Sequence, residues 1–480
     1  MKVSVENANI IKIKADLLAI FIYEDKKTLS GDSLKLDIAL SKVISKLIKS
    51  KEISGKSDTS CIIHTFGKIP ADRIVVVGLG KSKDYNADVL RKAAAQVIGA
   101  AKKVKAESVA AVILGNLDAE AFVDGAINAG YSFDVYKEKD KDSVKIEKLV
   151  VLEPNQSNIK QLKSRISLIA DIADSANMAK DLVNSPSNVI TPTYIANYAK
   201  EMAQDVGIKC EIYDFPKIEK MGLGAFYAVA KGSREPAKLV ILKYKGSGKD
   251  IIGLIGKGIT FDSGGISIKP SKNMSEMKSD MAGAAAVIET MRVIAGRKCK
   301  HNVIAVIPLT ENMPSGGAYK PGDILKSLSG KTIEIISTDA EGRLILADAL
   351  SYAIKLGATK LIDIATLTGG CVVALGDICS AVLGSDEKMI KDIVESGNAS
   401  GEKMWQLPIF SEYDEYLKSD FADTKNCTEH GKASPIVGAI FLKKFIGDIP
   451  WVHIDIAGTA YIKTDATGVG VRTFSKYLLS

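Results

Sequence analysis

The chain has 480 residues, 46% hydrophobic and 25% charged, with a net charge of +7. That length exceeds what one core normally holds, and the composition is ordinary for a soluble globular protein, so two domains are expected. No run approaches the roughly 18 uncharged apolar residues of a membrane span, and Lys12, Lys14 and Asp16 interrupt the N-terminal apolar stretch, which excludes a signal-peptide layout and makes the expected location cytoplasmic.

Along the chain, Arg73–Gly80 and Ser108–Gly115 read as buried parallel strands. Between them, Asn86–Ala106 reads as a helix with Asn86 or Asp88 as its cap. Lys145–Val151 reads as a last strand, and Asn158–Val183 as a long helix ending at the turn cluster Asn184-Ser185-Pro186. The expected division is an N-terminal α/β domain over residues 1–155, a connecting helix over 156–190 and a second α/β domain over 191–480. In the second, strands are expected at Leu239–Tyr244, Ile251–Ile255, Asn302–Pro308, Ile333–Ile336, Lys360–Ala365 and Trp451–Ile456. Helices are expected at Met277–Ala295, Leu344–Leu356 and Pro435–Phe445.

The six cysteines are scattered without a CxxC pair, the pattern of reduced thiols. None of the four histidines forms HExxH. The positive charge reads as a lysine-rich solvated surface, and no basic run of the length expected for a nucleic-acid patch is present. Gly80-Lys81-Ser82 ends like a phosphate loop, but Val75 stands where that loop needs glycine.

Three segments carry chemistry. Gly256–Gly265, with Lys257, Asp262 and then Lys269, follows an apolar strand, and so lies at the carboxyl edge where α/β sheets place ligands. Asp280 reads as lying in the first turn of a small-residue helix, where dipole matching is the bland explanation. Asp339, Glu341 and Arg343 would share one side if their segment is extended, with helix capping by Asp339 as the bland alternative. Four carboxylates with two lysines and an arginine suit Mg²⁺, Mn²⁺ or Zn²⁺, and point to a two-metal hydrolase or a phosphoryl-transfer site without choosing between them.

At these residues the chain resembles the leucyl (cytosol) aminopeptidase family. GKGITFDSGG from Gly256, the Asp280 segment and TDAEGRL from Thr338 carry the resemblance. So do Asn312–Asp323, Thr366–Gly369, Ala179–Pro192 and Trp451–Gly458. It implies a smaller macro-like N-terminal domain and a larger catalytic domain with a mixed central sheet flanked by helices. It implies two divalent ions per subunit, Mn²⁺ or Zn²⁺, with Asp262 and Glu341 shared between them. Lys257 and Asp280 would complete one metal site and Asp339 the other. Lys269 and Arg343 would be the catalytic pair. Met277, Thr366, Gly369 and Ala457 would line the pocket for the N-terminal side chain. The implied substrates are peptides with a free N-terminus, leucine and other apolar residues being preferred, and the implied assembly is a homohexamer. Two positions depart from the common family pattern: Ser337 before TDAEGRL, and Ala460, which would leave more room at the pocket floor.

A lysine binds metal only as the neutral amine, so Lys257 is expected to be neutral and Lys269 charged. Attack would come from a metal-bridging hydroxide, with bicarbonate on Arg343 shuttling the proton. The competing expectation is the same fold acting as a DNA-binding regulator, which salt-dependent duplex binding would detect.

Overall fold

The computed structural model describes residues 1–26, 28–113, 116–138 and 144–480; the side chains of 116 and 117 are left aside. It divides into two compact units, Met1–Asp174 and Ser175–Ser480. The division falls inside one continuous helix, Ile159–Asn184.

The first unit is built on six strands: β1 (Lys2–Glu6), β2 (Leu17–Ile22), β3 (Ser60–His64), β4 (Arg73–Gly78), β5 (Ser108–Val112) and β6 (Lys148–Leu152). Their order is β1-β6-β5-β2-β4-β3, parallel except for the antiparallel edge strand β3. The apolar runs of β2 and β4 are buried on both faces, as parallel strands under helices must be. Helix Ala87–Lys103 covers one face, and its cap is Asn86, whose side chain accepts the N–H groups of Asp88 and Val89 at 3.0 and 3.2 Å. Helices Gly31–Ala39 and Val43–Lys49 cover the other face. The last two residues of the expected strand Ser108–Gly115 lie outside the described residues.

The second unit holds a mixed sheet in the order β16-β15-β18-β14-β9-β11-β8-β7, with β10 added alongside β11. Its strands are β7 (Lys209–Asp214), β8 (Lys238–Tyr244), β9 (Ile251–Gly256), β10 (Gly258–Asp262), β11 (Asn302–Asn312), β14 (Lys360–Ala365), β15 (Ser380–Gly384), β16 (Met404–Gln406) and β18 (Trp451–Asp455). Three short strands, β12 (Ile324–Lys326), β13 (Thr332–Glu334) and β17 (Thr424–Lys425), form a separate small sheet. The expected strand at Ile333–Ile336 is thus part of this small sheet. Helices Ala282–Gly296 and Val471–Leu479 pack on one face of the main sheet, and Gly342–Lys355 and Ser434–Lys443 on the other. Among the described residues, no helix is long and apolar enough to cross a membrane.

Candidate metal centre

The site begins at a break in a strand. β9 pairs with β11 as far as Ile255 opposite Val306, and β10 resumes at Gly258 opposite Leu309. Lys257 sits in the gap. Its N–H donates to the Ile364 carbonyl at 3.1 Å, and its carbonyl accepts the Ala284 N–H at 2.9 Å. The backbone is therefore clamped between β14 and the start of helix Ala282–Gly296, leaving the side chain free to enter the site. Two glycines make room. A Cβ on Gly283 would lie 2.2 Å from the Ile364 carbonyl oxygen, and one on Gly342 would lie 2.6 Å from Lys257 Cε.

Lys257 Nζ is 2.8 Å from Asp280 Oδ2 and 2.8 Å from Glu341 Oε1, and donates to the Thr366 carbonyl at 2.9 Å. Lys269 Nζ is 2.9 Å from Asp262 Oδ2 and also contacts Asp339 Oδ1. Asp262, Asp280 and Glu341 are buried, and each offers a carboxylate oxygen within 4.8 Å of the others. Asp339 completes the group from a more open position, its side chain 35% exposed.

Surrounding polar groups fix these carboxylates. Asp262 Oδ1 accepts from the Gly264 N–H at 2.9 Å and Asn312 Nδ2 at 2.8 Å. Asn312 Nδ2 and the Tyr319 hydroxyl both donate to the Thr338 carbonyl, at 3.0 and 2.8 Å, holding the turn before Asp339. Asp280 Oδ1 accepts from the Thr366 hydroxyl at 2.6 Å. Buried Asp455 accepts from the N–H groups of Leu367 and Ala457, each at 3.1 Å, and from the Thr368 hydroxyl at 2.7 Å. It ties the loops after β14 and β18 together. Asn312, Thr338, Tyr319 and Asp455 did not stand out as functional residues in the sequence. The available signal was their place within the motif segments Asn312–Asp323, TDAEGRL from Thr338 and Trp451–Gly458.

The segment from Asp339 to Arg343 is not extended. Glu341 has helical φ and ψ of −76° and −37° and immediately precedes helix Gly342–Lys355 without capping it. The short Gly342 lets the chain turn into the helix over Lys257, so the alternation of an extended strand does not apply. Asp280 likewise lies before helix Ala282–Gly296, at the end of the turn Met274–Ser279, so its carboxylate does not cap that helix.

Electrostatics make the centre unstable as an anion cluster. Burial pushes Asp280 and Asp262 up, with mutual repulsion and Glu341 adding to it and the lysines opposing. Asp339 is raised by burial and by Asp262. Burial would raise Glu341 too, but Lys257 and Lys269 outweigh it and hold it down. Burial pulls both lysines down, and the carboxylates outweigh it, so each is held as an ammonium. Three buried carboxylates converging on two cation positions form a hard, oxygen-rich donor set, which fits divalent metal ions.

The structure thus brings Lys257, Lys269, Asp262, Asp280, Asp339 and Glu341 together. Arg343 is buried one residue into the helix; its Nη1 donates to the Asn426 carbonyl at 2.9 Å, and its Nε has no hydrogen-bond partner. Thr366 touches the centre directly through Asp280 and Lys257. Gly369 opens helix Gly369–Leu375 behind its cap Thr368. Ala457 is held by Asp455, and Met277 lies on the turn leading to Asp280, whose N–H donates to its carbonyl at 3.4 Å. Ser337 Oγ accepts the Asp339 N–H at 3.2 Å. Ala460 is buried.

Fold and site define a two-unit α/β protein with a buried carboxylate-lysine centre at the carboxyl edge of its larger sheet. The chain belongs to the cytosol aminopeptidase family: the family's catalytic-domain profile matches residues 177–475 and its N-terminal-domain profile matches residues 19–140. It is 45% identical to a probable cytosol aminopeptidase of Alkaliphilus oremlandii over 98% of each chain. It is 42% identical to one from a Geobacter species over 100% of this chain and 99% of the other. A tomato leucine aminopeptidase mutant has a similar structure, with a TM-score of 0.91 and 31% identity, over 100% of this chain and 96% of that one. The bottromycin maturation enzyme BotP in complex with Mn also matches, with a TM-score of 0.85 and 30% identity, over 97% and 99% of the two chains.

Proposed function

We propose that the protein is a two-metal leucyl aminopeptidase that releases apolar N-terminal residues from peptides. The observation that carries the reading is the convergence of buried Asp262, Asp280 and Glu341 with Lys257 and Lys269. Asp262 and Glu341 would be shared by the two ions, Lys257 and Asp280 would complete one site, and Asp339 the other. Bound there, Mn²⁺ or Zn²⁺ supplies Lewis-acid polarisation of the scissile carbonyl and an acidified water.

The residues divide the remaining work. Lys257, between Asp280 and Glu341, would be a ligand as the neutral amine, the form in which a lysine binds metal. Lys269 faces the more open Asp339 corner and would, as an ammonium, stabilise the oxyanion that develops on the carbonyl. Arg343 would hold a small anion such as bicarbonate, which would supply a proton acceptor; its buried, unpartnered Nε supports this role. Met277, Thr366, Gly369 and Ala457 accept the N-terminal side chain. Ala460 leaves that pocket roomy, and Ser337 bears on the residue after the cut. The family likeness supports a homohexamer and a cytoplasmic location as parts of the same reading.

The decisive experiment strips metal with a chelator, follows leucine-anilide hydrolysis, and restores Mn²⁺, Zn²⁺, Co²⁺ and Mg²⁺ one at a time. Hydrolysis should stop on stripping and return with at least one ion. Hydrolysis that survives complete metal removal would overturn the proposal.

A further inference from the structure

A file of buried charges runs beneath helices Gly342–Lys355 and Ser434–Lys443, outside the carboxylate-lysine centre. It starts on β18. Trp451, His453 and Asp455 are alternate residues of that strand, so they share one face, and all three are fully buried. Trp451 packs in the core that the two helices close. Opposite His453 on β14 stands Asp363, equally buried. Asp363 Oδ1 lies 2.6 Å from His453 Nδ1, and Asp363 Oδ2 accepts the Trp451 Nε1–H at 2.6 Å.

The file ends at Arg343. Asp455, next along the face from His453, accepts the Thr368 hydroxyl at 2.7 Å. Thr368 and Arg343 meet at Gly438, where a Cβ would lie 3.5 Å from Thr368 Cγ2 and 3.5 Å from Arg343 Nη2. Taken in order, the signs alternate: Asp363, His453, Asp455, Arg343. Asp455 and Arg343 both act on the His453 ring, and Asp455 also acts on Arg343.

Two observations separate His453 from a histidine that merely fills a core. Its Nε2 is buried and has no hydrogen-bond partner among the described residues, whereas buried polar atoms kept for structure are satisfied. Its Nδ1 meets a carboxylate at the short distance of a charge-assisted hydrogen bond. Burial pulls the imidazole down, and Asp363 and Asp455 outweigh it, so the ring holds its proton above the usual histidine range. A ring with one idle nitrogen and one carboxylate partner contributes a charge more than a hydrogen-bond network.

Charge balance gives that charge a use. Two buried carboxylates and one imidazolium leave a single negative charge, which Arg343 offsets. Without the imidazolium, both carboxylates would draw on one guanidinium and oppose any further anion beside it. We propose that His453 is a positioning residue of the anion site at Arg343: its positive charge offsets Asp363 and leaves the guanidinium available to a small oxyanion such as bicarbonate. This inference rests on the anion-holding role given to Arg343 above.

The test follows 13C-labelled bicarbonate by NMR line broadening on the metal-loaded full chain, with Arg343→Met as the background. Binding above that background should weaken about 10-fold in His453→Gln, whose amide can still donate to Asp363 but carries no charge. Adding Asp363→Asn to His453→Gln restores the charge balance and should bring the affinity back to within about 3-fold of wild type. A purely structural histidine predicts further damage from that second change. Asp363→Asn alone should bind bicarbonate at least as tightly as the wild type, which keeps the test open if His453→Gln does not fold. Wild-type affinity in His453→Gln, no recovery in the double variant, weaker binding in Asp363→Asn, or wild-type broadening no greater than in Arg343→Met would each overturn the proposal. Binding is read without hydrolysis, so these outcomes leave the peptidase reading standing, and loss of that reading in the chelation experiment leaves them measurable.

Discussion

Two carboxylates stand close together in sequence around helix Gly342–Lys355, and both are buried, yet their surroundings differ in kind. Asp348 is met by backbone donors alone: the Phe226 N–H at 2.9 Å and the Leu328 N–H at 2.7 Å. It fastens the first turn of helix Gly224–Ala230 and the turn at Leu328 to helix Gly342–Lys355. Glu341 is met by Lys257 and by the charges of Asp262 and Asp280. Backbone donors satisfy a buried carboxylate permanently. A cluster of carboxylates shared between lysines is an arrangement that mobile cations can enter, because the carboxylates are held by side-chain charges that a cation can replace. The first pattern belongs to structure and the second to chemistry, although sequence presents both simply as acidic residues among apolar ones.

The sharpest break of that comparison is Glu341→Gln. It should lower bound metal and leucine-anilide turnover together by more than about 100-fold, beyond the range of outer-shell substitutions. Elemental analysis beside the assay checks it; full metal content in the variant would place Glu341 with Asp348 as structural. Lys269→Ala should come next, losing on the order of 10²- to 10³-fold in turnover while keeping its metal, as removal of an oxyanion donor does. Unchanged turnover would remove the oxyanion role. Thr366→Val deletes the hydroxyl that holds Asp280 and should lower metal affinity by about 10- to 100-fold, read from the Mn²⁺ concentration needed to restore activity.

How much of this was legible beforehand follows the same division. The apolar runs at Lys360–Ala365 and Ile251–Gly256 announced β14 and β9, because strands buried on both faces need unbroken apolar sequence. β10 was not among the expected strands, since glycines at 256 and 258 suppress strand preference; what makes it a strand is pairing with β11, which runs on past Pro308 to Asn312. The edge strand β7 is only partly buried along its length and gave no such run. The six central site residues were visible because each follows an apolar strand or precedes a helix in a distinctive motif. Asn312 and Asp455 lay inside the motif segments Asn312–Asp323 and Trp451–Gly458, but their holding roles were not legible, because their partners lie 50 residues away at Asp262 and 88 residues away at Leu367. Sequence spacing also misplaced Asp339, Glu341 and Arg343 on one extended face, because the helix start after Glu341 depends on the space Gly342 leaves above Lys257.

The mildest test lies on the structural side. Asp348→Asn should leave metal content and turnover near wild type and cost about 1–3 kcal/mol of stability, because one amide N–H₂ would face a backbone N–H. Burial pushes the Asp348 carboxyl up to about 7, against backbone hydrogen bonds that pull it down. The folded protein therefore binds a proton there that the unfolded chain releases near its ordinary value of 3.8. The contribution of Asp348 to stability is full below about pH 4 and declines as pH rises toward 7, by at most about 1.4 kcal/mol per pH unit. Metal-free wild type and Asp348→Asn, unfolded in urea at pH 5 and at pH 8, should differ more at pH 5. A gap that widens at pH 8 would mean that Asp348 is held as a carboxylate, making its surroundings more like those of Glu341 than the backbone donors suggest.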